Sequence, residues 1–394
     1  MFLLLIGDRQ SALTDCRPFA DLIDRGGFVV AHSEDGILAA CNPEQSFVPA
    51  SIAKIATALA AFNILGKDYR FQTEFFLDEL NNLFIRGHGD PFLISEEVDM
   101  IASRIHALGL TEIRAVYIDD SLYRFLENDP GRGTSDNPYD VPVTATAVNF
   151  NTVSIVVDDK EHAASAEPQT PTLPIMQDMA RGLAPGQYRL NICRDGCDPA
   201  SRSARYTAEL FSAILRARGV DVAAAYGLRP VPVEARLLFT HFNARTLKDV
   251  VYSFLQYSNN FVANQVFLAC GGQLSGYPAD WKRAERAVES ALTQILGPDI
   301  TARVKMVDGA GLSRRNRITA DAMLHVLDAF RPYAHLLQEK KGARLKSGTL
   351  KDVYNYAGYL ANGRSFVILL NQQRNTRNSL LTRLEAMYGS KREH

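Results

Sequence analysis

The chain has 394 residues, 46% hydrophobic and 22% charged, a globular composition long enough for two or three domains. With 43 Lys and Arg against 44 Asp and Glu, and no long basic block, nothing argues for nucleic acid or an anionic membrane surface as a partner. No apolar run approaches the roughly 20 residues of a membrane-spanning helix.

The amino terminus, "MFLLLIGDRQSALTDC", has a short apolar stretch without a preceding positive charge or a small-residue cleavage site. A complete secretory signal is therefore not expected, and a remnant leader and a first strand fit equally well. Asp15 argues against lipid attachment at Cys16. "GGFVVAHSEDGILAACN" reads as a hairpin, with apolar runs at Phe28–Ala31 and Ile37–Ala40 around a turn at Ser33–Gly36. "FVPASIAKIATALAAFNILG" follows as a helix. Ile52, Ile55, Ala56, Leu59 and Phe62 supply its buried face, and Gly66 suits its end.

From about residue 67 to 200 strand-like pieces alternate with turns: "FQTEFFLD", "NLFIRGHGDPFL" and "EIRAVYIDD", with one helix, "SEEVDMIASRIHALG". "HAASAEPQTPTLP" reads as an exposed loop. Helices then dominate: "SARYTAELFSAILRARG", "TLKDVVYSFLQYSNNFVANQVFLACGG" and "PADWKRAERAVESALTQILG". Three strands, "ARLKSGTL", "YNYAGYLANG" and "SFVILLNQQ", and a last helix at about 375–388 close the chain. Strands at both ends are expected to share one sheet. This gives an α+β domain of residues 17–66 and 237–394, with 67–236 inserted as a separate lobe.

Of the five cysteines, Cys193 and Cys197 in "CRDGC" would either close a small disulfide loop or remain two thiols. Without a second CxxC or an HxxxH pattern, no metal site is expected.

Three short motifs carry the chemistry. S-x-x-K occurs once, at Ser51–Lys54, and K-[ST]-G once, at Lys346–Ser347–Gly348 on a strand. S-x-N occurs twice: "SDN" at Ser135 lies in a polar, proline-broken loop, and "SNN" at Ser258 lies at a break in an apolar helical run. The second context suits a group that must project into a cleft. In a helix, residues three apart share a face, so Ser51 and Lys54 point the same way. Taken alone, that pair reads as readily as an N-cap and a solvated lysine.

The ordered set S-x-x-K, S-x-N, K-[ST]-G is the signature of penicillin-recognising serine enzymes. Together with "YSNNFVANQ", "DGAGLSRRN", "ARLKSGTL" and "RGHGDPFL", it makes the chain from about residue 27 to its end resemble the class C low-molecular-mass penicillin-binding proteins, the S13 D-Ala-D-Ala carboxypeptidase/endopeptidase family. The separation of 207 positions from Ser51 to Ser258 agrees with an inserted lobe and exceeds what a class A β-lactamase has, although the insertion is somewhat short for the family. The resemblance implies a penicillin-binding-protein/β-lactamase-like transpeptidase fold, an antiparallel sheet flanked by helices, carrying a large, mostly β insertion.

It also implies roles. Ser51 would be acylated and neutral Lys54 would take its proton, its charge destabilised by apolar surroundings and by Lys346. Ser258 would relay a proton to the leaving amine. Asn260 would bind the peptide carbonyl and steady Lys54. Lys346, Ser347 and Thr349 would favour a terminal carboxylate, and side-chain-free Gly348 would let an extended peptide lie along the strand. The N–H groups of Ser51 and Thr349 would form the oxyanion hole. Asp119 and Arg314 are weaker substrate-contact candidates; a turn aspartate and a solvated arginine are the competing readings. No metal or organic cofactor is implied. Peptidoglycan stem peptides are the implied substrate, β-lactams the covalent inhibitors, and a periplasmic or extracytoplasmic setting the implied location. A serine β-lactamase or esterase, or a non-catalytic peptidoglycan-binding scaffold, are the competing functions.

Overall fold

The computed structural model describes residues 13–32, 36–125, 129–194, 196–340 and 342–389. Most of the "MFLLLIGDRQSALTDC" stretch, and the tip of the hairpin turn at 33–35, lie outside them. The chain divides into two compact units. One comprises Met1–Ala56, Leu292–Lys305 and Arg314–His394, the other Thr57–Ala291 and Met306–Ser313.

The first unit is built on seven strands: β1 (Leu13–Thr14), β2 (Gly26–His32), β3 (Gly36–Cys41), β4 (Gln338–Lys340), β5 (Ala343–Leu350), β6 (Val353–Tyr359) and β7 (Ser365–Leu370). Their order in the sheet is β1-β3-β2-β7-β6-β5-β4, so strands from the two ends of the chain meet at β2 and β7. All neighbours are antiparallel except β1 and β3. The continuous apolar run of β7 reflects burial on both faces, which a strand with one wet face does not need. Phe28, Val30, Phe366, Ile368 and Leu370 pack with Leu380, Leu381 and Leu384 in one cluster. The alternate residues Val29, Val367 and Leu369 are buried as well.

Three helices complete the frame: α1 (Ala53–Ile64), which runs on into the second unit, α2 (Ala320–Phe330) and α3 (Arg377–Tyr388). α2 packs against β2 and β7, and α3 against β6 and β7. α1 departs from the expected one-sided burial: every residue from Ile52 to Phe62 is buried, so its apolar character goes all the way round. A disulfide joins Cys16 to Cys41, a pairing the spacing of the cysteines did not suggest.

The second unit holds a mixed five-stranded sheet in the order Asp221–Leu228, Glu112–Asp119, Asn82–Gly87, Gln72–Leu77, Arg236–Phe242. Its core gathers Phe75, Leu83, Ile85, Val116 and Ile118 with Ile101 and Ile105 of the helix Ser95–Ala107 and Phe211 of the helix Pro199–Ala217. A smaller antiparallel sheet pairs Thr152–Val157 with Gly186–Asn191 and Ala163–Ser165. The stretch read as an exposed loop thus contributes a strand, and Thr170 and Leu173 within it are buried. Cys193 and Cys197 form a disulfide.

Residues 237–291, grouped with the terminal segments in the sequence reading, cluster here with 57–236. Local bonds explain it. The N–H groups of Asn243, Leu247 and Lys248 donate to the carbonyls of Phe71, Tyr69 and Lys67. Gln265 Nε2 donates to Thr144 O, and Arg124 N to Ala279 O.

Candidate active site

Ser51 sits in a short 3-10 turn, Ala50–Ile52, that feeds directly into α1. Lys54, wholly buried in the first turn of α1, donates from Nζ to Ser51 Oγ at 3.0 Å. That geometry is the hydrogen bond a nucleophile needs to its base, and it differs from a solvated lysine in kind. Ala50, immediately before Ser51, has φ of 49°, in the left-handed region where a side chain costs about 1–3 kcal/mol. The turn is held there by two asparagines. Asn355 Nδ2 donates to the carbonyls of Val48 (2.9 Å) and Pro49 (2.7 Å) while its Oδ1 accepts from Leu370 N. Asn371 Oδ1 accepts from Val48 N at 2.8 Å. Sequence reasoning missed both; a buried Asn355 interrupting the apolar pattern of "VYNYAGY" was the available signal.

β5 brings the second motif to the same unit. Gly348 pairs with Asn355 across β6, and a Cβ placed on Gly348 would stand 2.6 Å from Pro49 O and 3.2 Å from Ile52 N. The glycine is thus required because the Ser51 turn packs on it; the space reserved in the sequence reading for an extended peptide is filled at this point by the chain itself. Lys346 is almost wholly buried on the same strand face, two residues before Gly348, and its Nζ donates to Ser347 O at 3.2 Å. Burial, and then the nearby Arg377 guanidinium, pull its ammonium down from the usual lysine range to about 8. Arg377, at the start of α3, donates to Gly348 O and to Thr349 Oγ1 at 2.7 Å. Nothing in the sequence singled it out. Arg314 is exposed and donates from its guanidinium to Lys351 O.

In the second unit, Ser258 stands at the joint of two helices, Leu247–Tyr257 and Asn260–Ser275. It closes the first helix in the left-handed conformation (φ 56°, ψ 30°), a rare place for a serine. Asn259 then caps the second, its side chain accepting from Val262 N at 3.1 Å. This is the break the apolar run implied. Asn260 opens the second helix, and its Nδ2 lies 3.5 Å from Tyr139 O. Ser135, the other S-x-N serine, donates to Asp140 Oδ2 and accepts from Asn137 inside its own loop. Asp119 is buried, with Oδ1 accepting from Ser121 N (2.9 Å) and Oδ2 from Val231 N (3.0 Å). Both oxygens serve backbone, which is the arrangement of a turn-holding aspartate. In "DGAGLSRRN", the buried Asp308 carboxylate accepts from the N–H groups of Ala310, Gly311, Leu312 and Ser313. That motif is therefore a carboxylate-knit turn. No cluster of potential metal ligands occurs among the described residues.

Comparison with known proteins follows the same lines. A D-alanyl-D-alanine carboxypeptidase of Actinomadura sp. (strain R39) is 29% identical over 72% of this chain, and the match spans 60% of that protein's own length. D-alanyl-D-alanine carboxypeptidase DacB of Haemophilus influenzae is 23% identical over 88% of this chain and 85% of its own. The crystal structure of penicillin binding protein 4 (dacB) from that organism superposes with a TM-score of 0.73 at 20% identity, covering 91% of this chain and 96% of the other. The same protein has been solved in complex with a β-lactam (TM-score 0.71, 19% identity, 94% and 99% coverage). These likenesses give the fold: the penicillin-binding-protein/β-lactamase-like arrangement with an inserted lobe. The model of the D-Ala-D-Ala carboxypeptidase 3 (S13) family matches residues 21–187 and 200–338. The chain belongs to that family.

Proposed function

We propose that this chain is a serine D-Ala-D-Ala carboxypeptidase/DD-endopeptidase that cleaves peptidoglycan stem peptides through an ester on Ser51. The observation that carries the reading is the buried Lys54 Nζ, 3.0 Å from Ser51 Oγ. Ser51 Oγ attacks the carbonyl of the penultimate D-Ala while Lys54, neutral at that moment, takes the hydroxyl proton. The tetrahedral oxyanion is met by the N–H groups of Ser51 and Thr349, each donor worth about 3–4 kcal/mol of barrier. The C–N bond breaks as Ser258 passes a proton to the departing amine, with Asn260 holding the peptide carbonyl. Lys346 and Ser347 add positive potential and a donor on the leaving-group side. Water then attacks the ester and releases Ser51. No cofactor takes part.

β-Lactams fit the same chemistry as ring-opened esters on Ser51; the β-lactam complex of the Haemophilus influenzae relative supports this. An extracytoplasmic location is supported by the two disulfides, which persist in oxidising compartments. No helix among the described residues is long and apolar enough to cross a membrane.

The test is labelling of the full chain with a fluorescent penicillin and mass analysis of the labelled peptide. The proposal expects label on the Ser51 peptide, its loss in Ser51→Ala, and release of D-Ala from a stem pentapeptide. A folded wild-type chain that takes no label and releases no D-Ala would refute it. Rapid turnover of the penicillin without D-Ala release would identify a β-lactamase instead.

A further inference from the structure

One end of the five-stranded sheet in the second unit borders a cleft of about 420 Å³. Small-molecule sites span about 300–1,000 Å³. None of the residues given chemical roles above lines this cleft. Gln72 and Phe242 pair across adjacent strands at that end, and His88, just past the neighbouring strand, donates its N–H to Gln72 O. Tyr69 comes from the segment leading into the sheet. Gln273 and Tyr277 come from the end of the helix Asn260–Ser275 and the turn after it.

The aromatic rings are held in place. Tyr277 meets the His88 ring edge-on, with centres 5.4 Å apart. A Cβ on Gly272 would stand 2.5 Å from Tyr277 Cε1, so a side chain there would displace the ring. Tyr69 meets Phe71 edge-on at 5.1 Å, and Phe242 is 56% exposed. The charges beside these rings are matched within the protein, which gives an ion little advantage. Asp68 pairs with Lys67, and Arg70 donates to the carbonyls of Asn243 and Ala244. His88 Nδ1 accepts from Gln72 Nε2 at 3.3 Å, which leaves His88 Nε2 to donate to Glu74 Oε2 at 3.0 Å. What stays unspent is neutral. Among the described residues the Tyr69 and Tyr277 hydroxyls, Gln72 Oε1 and the exposed Gln273 amide make no hydrogen bond.

Flat apolar rings beside neutral donors and acceptors suit a pyranose. Its C–H face lies on an aromatic ring, and its equatorial hydroxyls turn outward to amides and phenols. An acetamido substituent adds a methyl group for the rings and an amide for the glutamines. We propose that this cleft is a saccharide site that takes the N-acetylated amino-sugar strand from which stem peptides hang. The choice of strand rests on the peptidoglycan reading above; the match of rings and amides to a sugar does not. The site gives the second unit a binding task separate from acyl transfer.

The experiment titrates the full chain with peptide-free peptidoglycan glycan strands, with chitotetraose and with cellotetraose, which lacks acetamido groups. Penicillin labelling is followed in parallel. Wild type is expected to bind the two N-acetylated glycans, and cellotetraose about 10-fold more weakly. Phe242→Ala and Gln273→Ala change exposed side chains, and each should weaken glycan binding about 3- to 10-fold, the worth of one stacked ring or one hydrogen bond. Penicillin labelling of both variants should stay within about twofold of wild type. No binding of the N-acetylated glycans by wild type would overturn the inference, as would equal binding of cellotetraose or unchanged binding in both variants. Glycan binding without penicillin labelling would uphold this site and sink the acyl-enzyme reading; labelling without glycan binding would do the reverse.

Discussion

Gly348→Ala tests how the nucleophile is positioned. The new methyl would stand 2.6 Å from Pro49 O, where ordinary contact begins at 3.4 Å, so something must yield by about 0.8 Å. β5 cannot easily be the part that gives way: it is hydrogen-bonded to β6 on one side and β4 on the other. The displacement therefore falls on the Pro49–Ile52 turn and moves Ser51 away from its hydrogen bond to Lys54. Overpacking of this kind costs about 1–3 kcal/mol of stability. A misplacement near 1 Å costs on the order of 100-fold in a reaction that depends on pre-set geometry. The assay is the second-order rate of labelling by a fluorescent penicillin, alongside urea unfolding of the same protein. A variant that acylates within about twofold of wild type would refute the reasoning, since the turn would then owe its position to something other than β5.

Three further outcomes are expected. Asn355→Ala takes the Asn355 hydrogen bonds from the Pro49 carbonyl and Leu370 N, while Val48 O keeps Asn371 Nδ2 at 3.2 Å, so urea unfolding should show a loss of about 2–4 kcal/mol and penicillin labelling should slow. Lys346 titrates near 8 when folded and near 10.4 when unfolded, so the unfolded chain binds more protons between those values; stability should rise with pH across about 8 to 10 in wild type and lose that slope in Lys346→Met. The Cys16–Cys41 disulfide closes a loop across 25 residues, and replacing both cysteines with serine should lower unfolding stability by about 3.5 kcal/mol in a denaturant titration, a loss of less than ~1 kcal/mol counting against the chain-entropy account.

The elements that position the chemistry were legible because their signals are local. The hairpin of β2 and β3, the strands β5 to β7 and the helix break at Ser258 all announce themselves through periodicity, turn residues or an interruption in an apolar run. What escaped depends on contacts between distant segments. Asn355 is 307 residues from Val48, and no local pattern says that a polar side chain inside β6 will hold the carbonyls before Ser51. Arg377 lies in a polar, basic stretch, "QQRNTRNSL", where either of two arginines would read as solvated. What Gly348 packs against was hidden for the same reason: its missing side chain was visible, and the Pro49–Ile52 backbone beside it was not. The grouping of 237–291 depended on backbone hydrogen bonds to 67–71 and to 122–124, which composition cannot reveal.

Two of the left-handed residues and two buried lysines stand at or beside the residues given chemical roles. Ala50 and Ser258 both adopt a left-handed backbone that glycine would accept more cheaply, at about 1–3 kcal/mol apiece. Glycine at position 50 would relieve φ but would widen the unfolded ensemble and remove a methyl that packs with Val48 and Val353. Alanine keeps the turn in one state, and Asn355 and Asn371 supply the hydrogen bonds that hold it there. At Ser258 the frame is a pair of caps: the Thr246–Asp249 capping box starts the helix that Ser258 ends, and Asn259 starts the next. Two lysines with almost no solvent exposure, Lys54 and Lys346, are a further cost that a protein selected only for stability would avoid by substitution with methionine or leucine. Their retention agrees with the proposed reaction, in which a proton must leave a serine.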